Sequence, residues 1–364
     1  MVGSRGWAPA AMAAAAVLAF AGAPSAVASE PLTPVVEGLD GPRGLAVGPQ
    51  GRVVFSEADG SVSRLATKGK RAGTVRELFS VPAGFLAPAV DAGKKRVFAL
   101  TTEGEPSTGA STLYSWRPHK GLRPLADISG YQRSDSDPYD LEDDPQHSNP
   151  YGVAALPGGG ALVADAGGND LLKVSRNGNI KTVARVKPMV VQVPEELPGE
   201  TPQGEPLPPA GTPIPAEAVT TSVVRGADGY WYLGELRGFP ATPGTSHVWR
   251  IKPGSTDAVC NPRRPHRGDC RLYADGFTSI VDLGAGPDGS IYVAELVKRS
   301  WLQWEFGVAE PIGGVFRIRP GGGDAVELAA DRLSLPGAVE VGRNGKVYAT
   351  GPVFGPGSVA MLRR

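Results

Sequence analysis

Four carboxylates in this sequence stand six residues after a glycine, each closing a short apolar run such as "ALVAD" or "SIYVAE". An acidic side chain at the end of a strand often accepts backbone N–H bonds in the turn that follows. Several together can also hold Ca²⁺, which takes roughly six to eight oxygen ligands. We interpret the recurring acid chiefly as a turn residue, and the set as a candidate Ca²⁺ site: Glu57, Asp165, Glu235 and Glu295.

Asp282 differs from these acids because it lies seven residues before its glycine, Gly289. A carboxylate in an apolar environment has a raised pKa, and it can then act as a general base or as an axial cation ligand. Pairing with an arginine, or capping of a neighbouring N–H, is the structural alternative. We take Asp282 as the candidate catalytic residue and as a further metal candidate. The other units have small or apolar residues at this offset: Gly44, Leu86, Gly152, Ser222 and Ala338.

Two connecting segments carry further candidates. The acidic segment "DPYDLEDDPQHSNPYG" contains His147 and Asn149, and it is otherwise typical of a solvated loop. The segment "KRSWLQWEFGVAEP" contains Trp301, Trp304 and Phe306, which either pack on the protein or form an apolar wall for a planar ligand. The candidate ligand-binding residues are Asn149, Glu235, Asp282, His147, Trp301 and Trp304.

Familiar catalytic signatures are absent from the sequence. It contains no G-x-S-x-G, H-E-x-x-H, C-x-x-C or P-loop motif, and only four histidines. The net charge is zero, with no long basic tract, so we expect no nucleic-acid partner.

The elements that position these residues repeat along the chain. Each unit contains an apolar run, a turn glycine, an alternating run and two further strand-like runs, and successive units are about 40 to 70 residues apart. The 50 glycines and 35 prolines favour short strands and tight turns. Six units of four antiparallel strands predict an all-β, six-bladed β-propeller. The turn glycines are Gly51, Gly93, Gly159, Gly229, Gly289 and Gly345.

The two ends of the chain complement each other. The last unit stops after its third strand, whereas the segment "LTPVVEGL" at 32–39 precedes the first unit without a partner. This N-terminal strand can complete the last blade and close the ring. Because second strands end on the face where each blade begins, the candidate residues should share one mouth of the central channel.

Residues 1–28 read as a secretory signal peptide, with Arg5, an apolar stretch and a small-residue cleavage site before Ser29. An uncleaved anchor is the alternative. We therefore predict a secreted, monomeric domain at 29–364 with no membrane span after cleavage. A Pro/Glu-rich insertion at about 183–218 interrupts the repeat, either as an excursion over one face or as a linker.

The two cysteines, Cys260 and Cys270, lie close together in "CNPRRPHRGDC". In an exported chain this spacing predicts a disulfide that closes a surface loop. Metal ligation by the pair is the alternative.

Three stretches resemble the ScyD/ScyE family of exported bacterial β-propellers: "SNPYGVAALPGGGALVADAGGNDLLKV", "TSVVRGADGYWYLGELRGFP" and "GFTSIVDLGAGPDGSIYVAEL". The resemblance covers nearly all of the chain after residue 28. It implies a fold related to NHL-repeat and gluconolactonase-like propellers, and an association with secondary-metabolite biosynthesis. Residues 149–152, Glu235, residues 238–240 and Asp282 match the family pattern. His147 stands where that pattern has Asp, which argues against a metal role for its loop.

Three functions follow from these observations. The first is binding of a small molecule or a protein partner at one mouth of the channel. The second is a Ca²⁺-assisted hydrolase or lactonase of the gluconolactonase-like kind, with Asp282 or a recurring acid as ligand or base. The third, an accessory role in secondary metabolism, is implied by the resemblance alone.

Overall fold

The computed structural model describes residues 32–48, 51–67 and 69–362. The predicted signal peptide, residues 1–28, lies outside the described residues. The described chain forms the predicted six-bladed β-propeller, with four antiparallel strands in each blade. Its secondary structure is almost entirely strand.

The strands of the first three blades follow chain order. The first strand of the chain, β1 (Leu32–Asp40), precedes blade one. Blade one consists of β2 (Leu45–Val47), β3 (Val53–Ser56), β4 (Ser61–Leu65) and β5 (Val75–Ser80). Blade two consists of β6 (Ala89–Ala92), β7 (Val97–Leu100), β8 (Thr112–Arg117) and β9 (Gly121–Asp127). Blade three consists of β10 (Pro150–Ala155), β11 (Ala161–Asp165), β12 (Asp170–Val174) and β13 (Ile180–Val186).

The second half of the ring adds a hairpin and one strand that joins a neighbouring blade. The hairpin consists of β14 (Met189–Gln192) and β15 (Pro213–Ala216). Blade four consists of β16 (Thr220–Arg225), β17 (Trp231–Glu235), β18 (Ser246–Ile251) and, after the short β19 (Ala258–Cys260), β20 (Cys270–Phe277). Blade five consists of β21 (Ile280–Ala285), β22 (Ile291–Glu295), β23 (Ile312–Ile318) and β24 (Ala325–Ser334). Blade six consists of β25 (Ala338–Val341), β26 (Val347–Gly351) and β27 (Pro356–Leu362), with β1 outside them.

The chain ends meet in blade six. Strand β1 pairs antiparallel with β27, so that Leu32 lies opposite Leu362 and Asp40 lies opposite Pro356. Leu39 is buried against this blade. The outermost strand of the last blade therefore comes from the start of the described chain, and its ladder hydrogen bonds join the two ends.

The disulfide predicted from the cysteine spacing is confirmed. Cys260 and Cys270 are bonded, with their Cα atoms 5.0 Å apart, and both are buried. The loop that they close connects β18 to β20, and β19 within this connection pairs parallel with β13. Blade four thus contributes a fifth strand to blade three and covers its outer edge.

Two short α-helices occur in the described residues, α1 (Ile128–Gln132) and α2 (Trp301–Glu305). The Oγ of Ser300 accepts a hydrogen bond from the backbone N–H of Gln303 and so caps the start of α2. Both helices lie in connections between strands.

The inner strands crowd the axis, and small residues allow their close approach. A Cβ on Gly152 would lie 2.6 Å from the carbonyl oxygen of Thr221 in blade four, so only glycine fits there.

Blade two differs from the offset expected from the sequence. In blade five, Asp282 pairs with Ala294. The equivalent strand position in blade two is that of Ala89, which pairs with Leu100. Leu86 lies outside the strand, because Gly93 is the first residue of the β6–β7 turn, whereas Gly289 is the fourth residue of the β21–β22 turn.

The Pro/Glu-rich insertion begins after Val186, where β13 ends, and its hairpin β14–β15 is ordered on the propeller. Val193, Leu197 and Leu207 from the insertion are buried in one cluster with Ala241 and Leu302 from the loops of blades four and five. The insertion therefore covers part of the face at which inner strands begin and second strands end. We call this the upper face.

Candidate functional site

The four recurring acids, which we call the blade-end acids, stand at or just after the ends of the second strands on the upper face: Glu57, Asp165, Glu235 and Glu295. Asp165 is fully buried. Its carboxylate accepts hydrogen bonds from the backbone N–H of Asn149 (2.7 Å), from the Oγ of Ser148 (2.8 Å) and from the backbone N–H of Gly167 (3.1 Å). This carboxylate fastens the loop that leads into blade three.

Asp165 belongs to a larger buried polar network. The Nε2 of Gln132 donates to Oδ2 of Asp165 (3.1 Å) and to Oδ2 of Asp170 (3.2 Å). Burial, together with the charge of Asp165, raises the pKa of Asp170 well above its ordinary value. The network joins the start of β12 to α1.

Glu235 is also fully buried, and it forms an ion pair with Arg237. Its Oε1 accepts from the guanidinium of Arg237 and contacts Nδ1 of His247, while its Oε2 accepts from the indole Nε1 of Trp249 (3.2 Å). Arg237 is fully buried and also donates to the carbonyl oxygen of Glu217 (3.2 Å). Glu235 thus neutralises a buried cation within the loops of blade four.

The remaining two blade-end acids each accept one backbone hydrogen bond. Glu295 accepts from the N–H of Thr278 (2.7 Å), and burial raises its pKa to about 7. Glu57 is half-buried and accepts from the N–H of Asp40 (3.1 Å). All four acids bind groups close to their own blades. Over the residues that the structure describes, no three His, Cys, Asp or Glu side chains are grouped to hold a metal ion.

Asp282 faces the channel with two carboxylates that the sequence analysis did not single out. We call Asp91, Asp282 and Glu340 the channel acids. Asp91 lies opposite Phe98 and Glu340 lies opposite Tyr348, two residue pairs deeper than Asp282. At about 3.3 Å per strand residue, Asp282 is roughly 7 Å nearer the upper mouth than the other two.

Two channel acids connect neighbouring inner strands. Asp282 Oδ2 accepts the backbone N–H of Val339 in blade six (2.9 Å), and Asp91 Oδ2 accepts that of Ala155 in blade three (2.5 Å). Burial raises the pKa of Asp282 to about 7 and also raises that of Asp91. The pKa of Glu340 is well above its ordinary value because burial adds to repulsion from Asp91 and Asp282. Burial and mutual repulsion thus both disfavour full ionisation of the three channel acids.

Arg43 lies at the upper mouth of the channel above these acids. It is only 3% exposed, and its Nη1 donates to the carbonyl oxygen of Ala87 (2.9 Å). Its Nη2 donates to the carbonyl oxygen of Tyr151, and the guanidinium lies 3.8 Å from the centroid of the Tyr151 ring. One side chain thus spans blades one, two and three. Its sequence signal is slight: an arginine directly before Gly44.

An aromatic ridge, consisting of Phe85, Trp304 and Phe354, lies on the upper face beside this mouth. Trp304 and Phe354 stack with ring centroids 5.8 Å apart and an interplanar angle of 19°. Phe85 and Phe354 have centroids 6.1 Å apart, and they are 53% and 38% exposed. Gly337 lies between Arg43 and Val353, the residue before Phe354: a Cβ built on Gly337 would lie 2.4 Å from Cγ1 of Val353 and 3.0 Å from Cα of Arg43. The ridge is therefore next to the mouth.

The other predicted wall residues have packing partners. The indole Nε1 of Trp301 donates to the carbonyl oxygen of Arg237 (3.1 Å), and Trp301 and Phe306 pack with the buried cluster under the insertion. Of the three predicted aromatics, only Trp304 belongs to the ridge. Phe85 and Phe354 were missed because each is a lone aromatic in its segment.

His147 and Asn149 fasten the acidic loop rather than line the channel. His147 Nε2 lies 2.9 Å from Oε2 of Glu103, and this hydrogen bond raises the pKa of His147. Asn149 Oδ1 accepts weakly from the backbone N–H of Glu103 (3.5 Å). The loop that enters blade three is thereby joined to the β7–β8 connection of blade two.

Fold and site together define a six-bladed propeller with an arginine-capped, acid-lined channel. Neither a family model nor a curated protein matches the sequence. No helix in the described part of the chain is long and apolar enough to cross a bilayer.

Solved propellers with other activities share the fold. A gluconolactonase from Xanthomonas campestris superimposes with a TM-score of 0.53 at 10% identity, over 91% of this chain and 89% of that one. A putative glucose dehydrogenase from Thermus thermophilus gives 0.52 at 17% identity, over 91% and 99%. The PQQ-bound aldose sugar dehydrogenase of Streptomyces coelicolor gives 0.50 at 13% identity, over 91% and 97%. At these identities the likeness concerns the fold alone.

Proposed function

We propose that this chain is an exported propeller of the ScyD/ScyE type that binds a planar, largely apolar small molecule at the upper mouth. The observation that carries this proposal is the aromatic ridge. Phe85 and Phe354 leave apolar ring surface in water beside the channel, and a ligand that covers these rings gains hydrophobic and stacking free energy. Stacking of one aromatic pair contributes about 0.5–1.5 kcal/mol beyond burial.

The surrounding elements determine how such a ligand lies. Arg43 lies at the channel entrance with its guanidinium bonded to the loop that enters blade two and to the first strand of blade three, so we expect the ligand to rest across the mouth. The insertion covers the blade-four and blade-five side of the upper face. The His147–Glu103 pair is partly exposed on the other side and supplies polar partners for substituents of a planar ring.

The test is a titration with 1-anilinonaphthalene-8-sulfonate, a planar apolar probe, monitored by quenching of tryptophan fluorescence. We expect saturable binding at one site, weakened about tenfold by Phe354→Ala because one stacked ring surface is lost. The matched control is Val326→Ala, which removes an even more exposed apolar side chain from the outer strand of blade five. Equal affinities for the two variants would contradict the proposal.

A Ca²⁺-assisted hydrolase or lactonase is the second candidate, and the pKa of Asp282, about 7, favours it because such a carboxyl can take up or release a proton near neutral pH. The blade-end acids do not fit the cation, since their oxygens already accept bonds near their own blades. Asp282 and the other channel acids are the remaining donors. Calorimetric titration with Ca²⁺ tests this: binding by the parent that is lost in Asp282→Asn supports the candidate, and no heat of binding contradicts it.

A further inference from the structure

The disulfide loop, residues 260–270, concentrates positive charge in a chain that has equal numbers of acidic and basic residues. Asp269 is the single carboxylate within the loop, and His266 adds a group that can be protonated. The loop and the residue that follows it carry four arginines: Arg263, Arg264, Arg267 and Arg271.

The loop is held in one shape by covalent and backbone contacts. The backbone N–H of Arg264 donates to the carbonyl oxygen of Asn261 (2.9 Å), and that of Arg267 donates to the carbonyl oxygen of Arg264 (3.2 Å). The disulfide joins the two ends of the loop, and β19 pairs with β13 of blade three. Because the backbone is already ordered, a ligand does not have to offset the entropy of ordering it.

The guanidinium groups of this loop are available to a ligand. Arg263, Arg264 and Arg267 are exposed, and within the described ranges their side chains make no hydrogen bond or ion pair. Arg271 is also exposed, and its Nε donates only to the carbonyl oxygen of Gly268 (2.9 Å). Unpaired guanidiniums in fixed positions bind carboxylate, sulfate or phosphate groups through paired N–H donors.

A groove runs alongside these arginines, with a volume of about 500 Å³. Arg264 and Arg267 contribute cations to its wall, Ala258 and Val259 contribute apolar surface, and Asp269 contributes an acceptor. Val259 is 39% exposed. The groove is also lined by Thr256, Asn261 and Gly268.

We propose that this groove binds an acidic polysaccharide through Arg264 and Arg267. The guanidiniums bind the carboxylate or sulfate groups of the sugar chain, and the apolar surface lies against the sugar rings. Asp269 decides between classes of polyanion, because its carboxylate oxygens require hydrogen-bond donors. Sugar hydroxyls supply these donors, whereas a phosphodiester or polyphosphate backbone has none to offer. No aromatic side chain lines the groove to stack a nucleobase.

The test compares three polyanions at equal concentrations of charge: heparin, polygalacturonate and polyphosphate. Affinity is measured by fluorescence anisotropy over a range of salt concentrations. We expect the polysaccharides to bind at least fivefold more tightly than polyphosphate. Heparin represents the sulfated source and polygalacturonate the carboxylated one, so their ratio identifies the preferred anion. Polyphosphate binding that equals the better polysaccharide would overturn the proposal, as would no binding of either polysaccharide at low salt.

The variant Arg264→Ser/Arg267→Ser tests the position of the site. We expect at least a tenfold loss of affinity, and a salt slope lowered by about 0.7–0.9 for each lost contact. The matched control is Lys120→Ser/Arg123→Ser, which removes two exposed cations from the β8–β9 hairpin of blade two. An equal loss in the control would show that only net charge matters. Melting temperatures of both variants, expected to equal that of the parent, exclude misfolding as the cause.

Discussion

The blade-end acids and the channel acids are carboxylates in neighbouring strands of the same ring, yet their surroundings differ. Asp165 and Glu235 each accept several hydrogen bonds from the loops next to their own blades. Asp282 and Asp91 each accept one bond from the next blade, and Asp91 also accepts the backbone N–H of Ala92 in its own strand. Burial raises the pKa of Asp165 as well as the pKa values of Asp282 and Asp91, so the two classes differ in which elements their hydrogen bonds join and not in the direction of the shift. The difference shows that recurrence marks structural acids in this ring.

The largest expected effect comes from opening the ring, which removes the frame common to both classes of acid. Deleting residues 31–40 removes β1, exposes the edge of β27 and loses the buried side chain of Leu39. We expect a fall in melting temperature of about 10 °C or more. The control is the chain that begins at residue 29 and keeps β1. Equal melting temperatures would show that the terminal strand does not hold the ring closed.

The next largest effect comes from comparing two blade-end acids: Glu235, which has a buried charge partner, and Glu57, which accepts one backbone hydrogen bond. Glu235→Ala leaves Arg237 buried without its counter-ion, so we expect a loss of about 3–5 kcal/mol in the free energy of unfolding. Glu57→Ala removes one backbone hydrogen bond from a half-buried site, with an expected loss of about 0.5–1.5 kcal/mol. Urea denaturation measures both. A smaller loss for Glu235→Ala than for Glu57→Ala would contradict the assigned role of the buried pair.

A matched pair of isosteric changes compares the two classes directly. Asp165→Asn places an amide N–H₂ where Ser148 and Gln132 donate, so we expect a loss of about 1–3 kcal/mol. Asp282→Asn keeps an oxygen for the N–H of Val339 and removes a charge that burial disfavours. We expect it to be neutral or stabilising at pH 8. The comparison fails if, at that pH, urea denaturation finds Asp282→Asn the more damaging change.

The smallest expected effect is in the pH dependence of stability. The pKa of Asp282 is about 7 in the folded chain, against an ordinary value of 3.8. Between these values the folded state binds more protons than the unfolded one, so this group lowers stability as pH rises from about 4 to 7. Asp282→Asn should remove part of that fall, an effect on the order of 2 kcal/mol. Denaturation at pH 4, 6 and 8 checks this, with Asp275→Asn on the exposed side of blade four as control. Parallel parent and Asp282→Asn curves would contradict it.

The architecture of the propeller could be predicted from local patterns in the sequence. Six turn glycines followed by alternating runs predict the blades because strand periodicity is local and each blade repeats it. The cysteine spacing likewise predicted the disulfide, since a short loop brings its ends together. The recurring acids were recognised from their fixed offset in the repeat, but their partners were not: Glu57, Asp165 and Glu295 accept backbone N–H bonds from residues 16 or 17 positions earlier, just before the inner strand of each blade. Asp282 was recognised as an exception to the same repeat.

The residues that meet at the channel and its mouth became known only from the folded ring. Asp91 and Glu340 approach Asp282 because blades two, five and six surround one axis, although the two lie a different number of residues from their turn glycines. Arg43 bridges three blades, and Phe85, Trp304 and Phe354 come from three separate loops. These contacts join segments up to several hundred residues apart, and they depend on how the blades pack about the axis. No local pattern records that geometry, so the channel and the ridge emerge only when the ring closes.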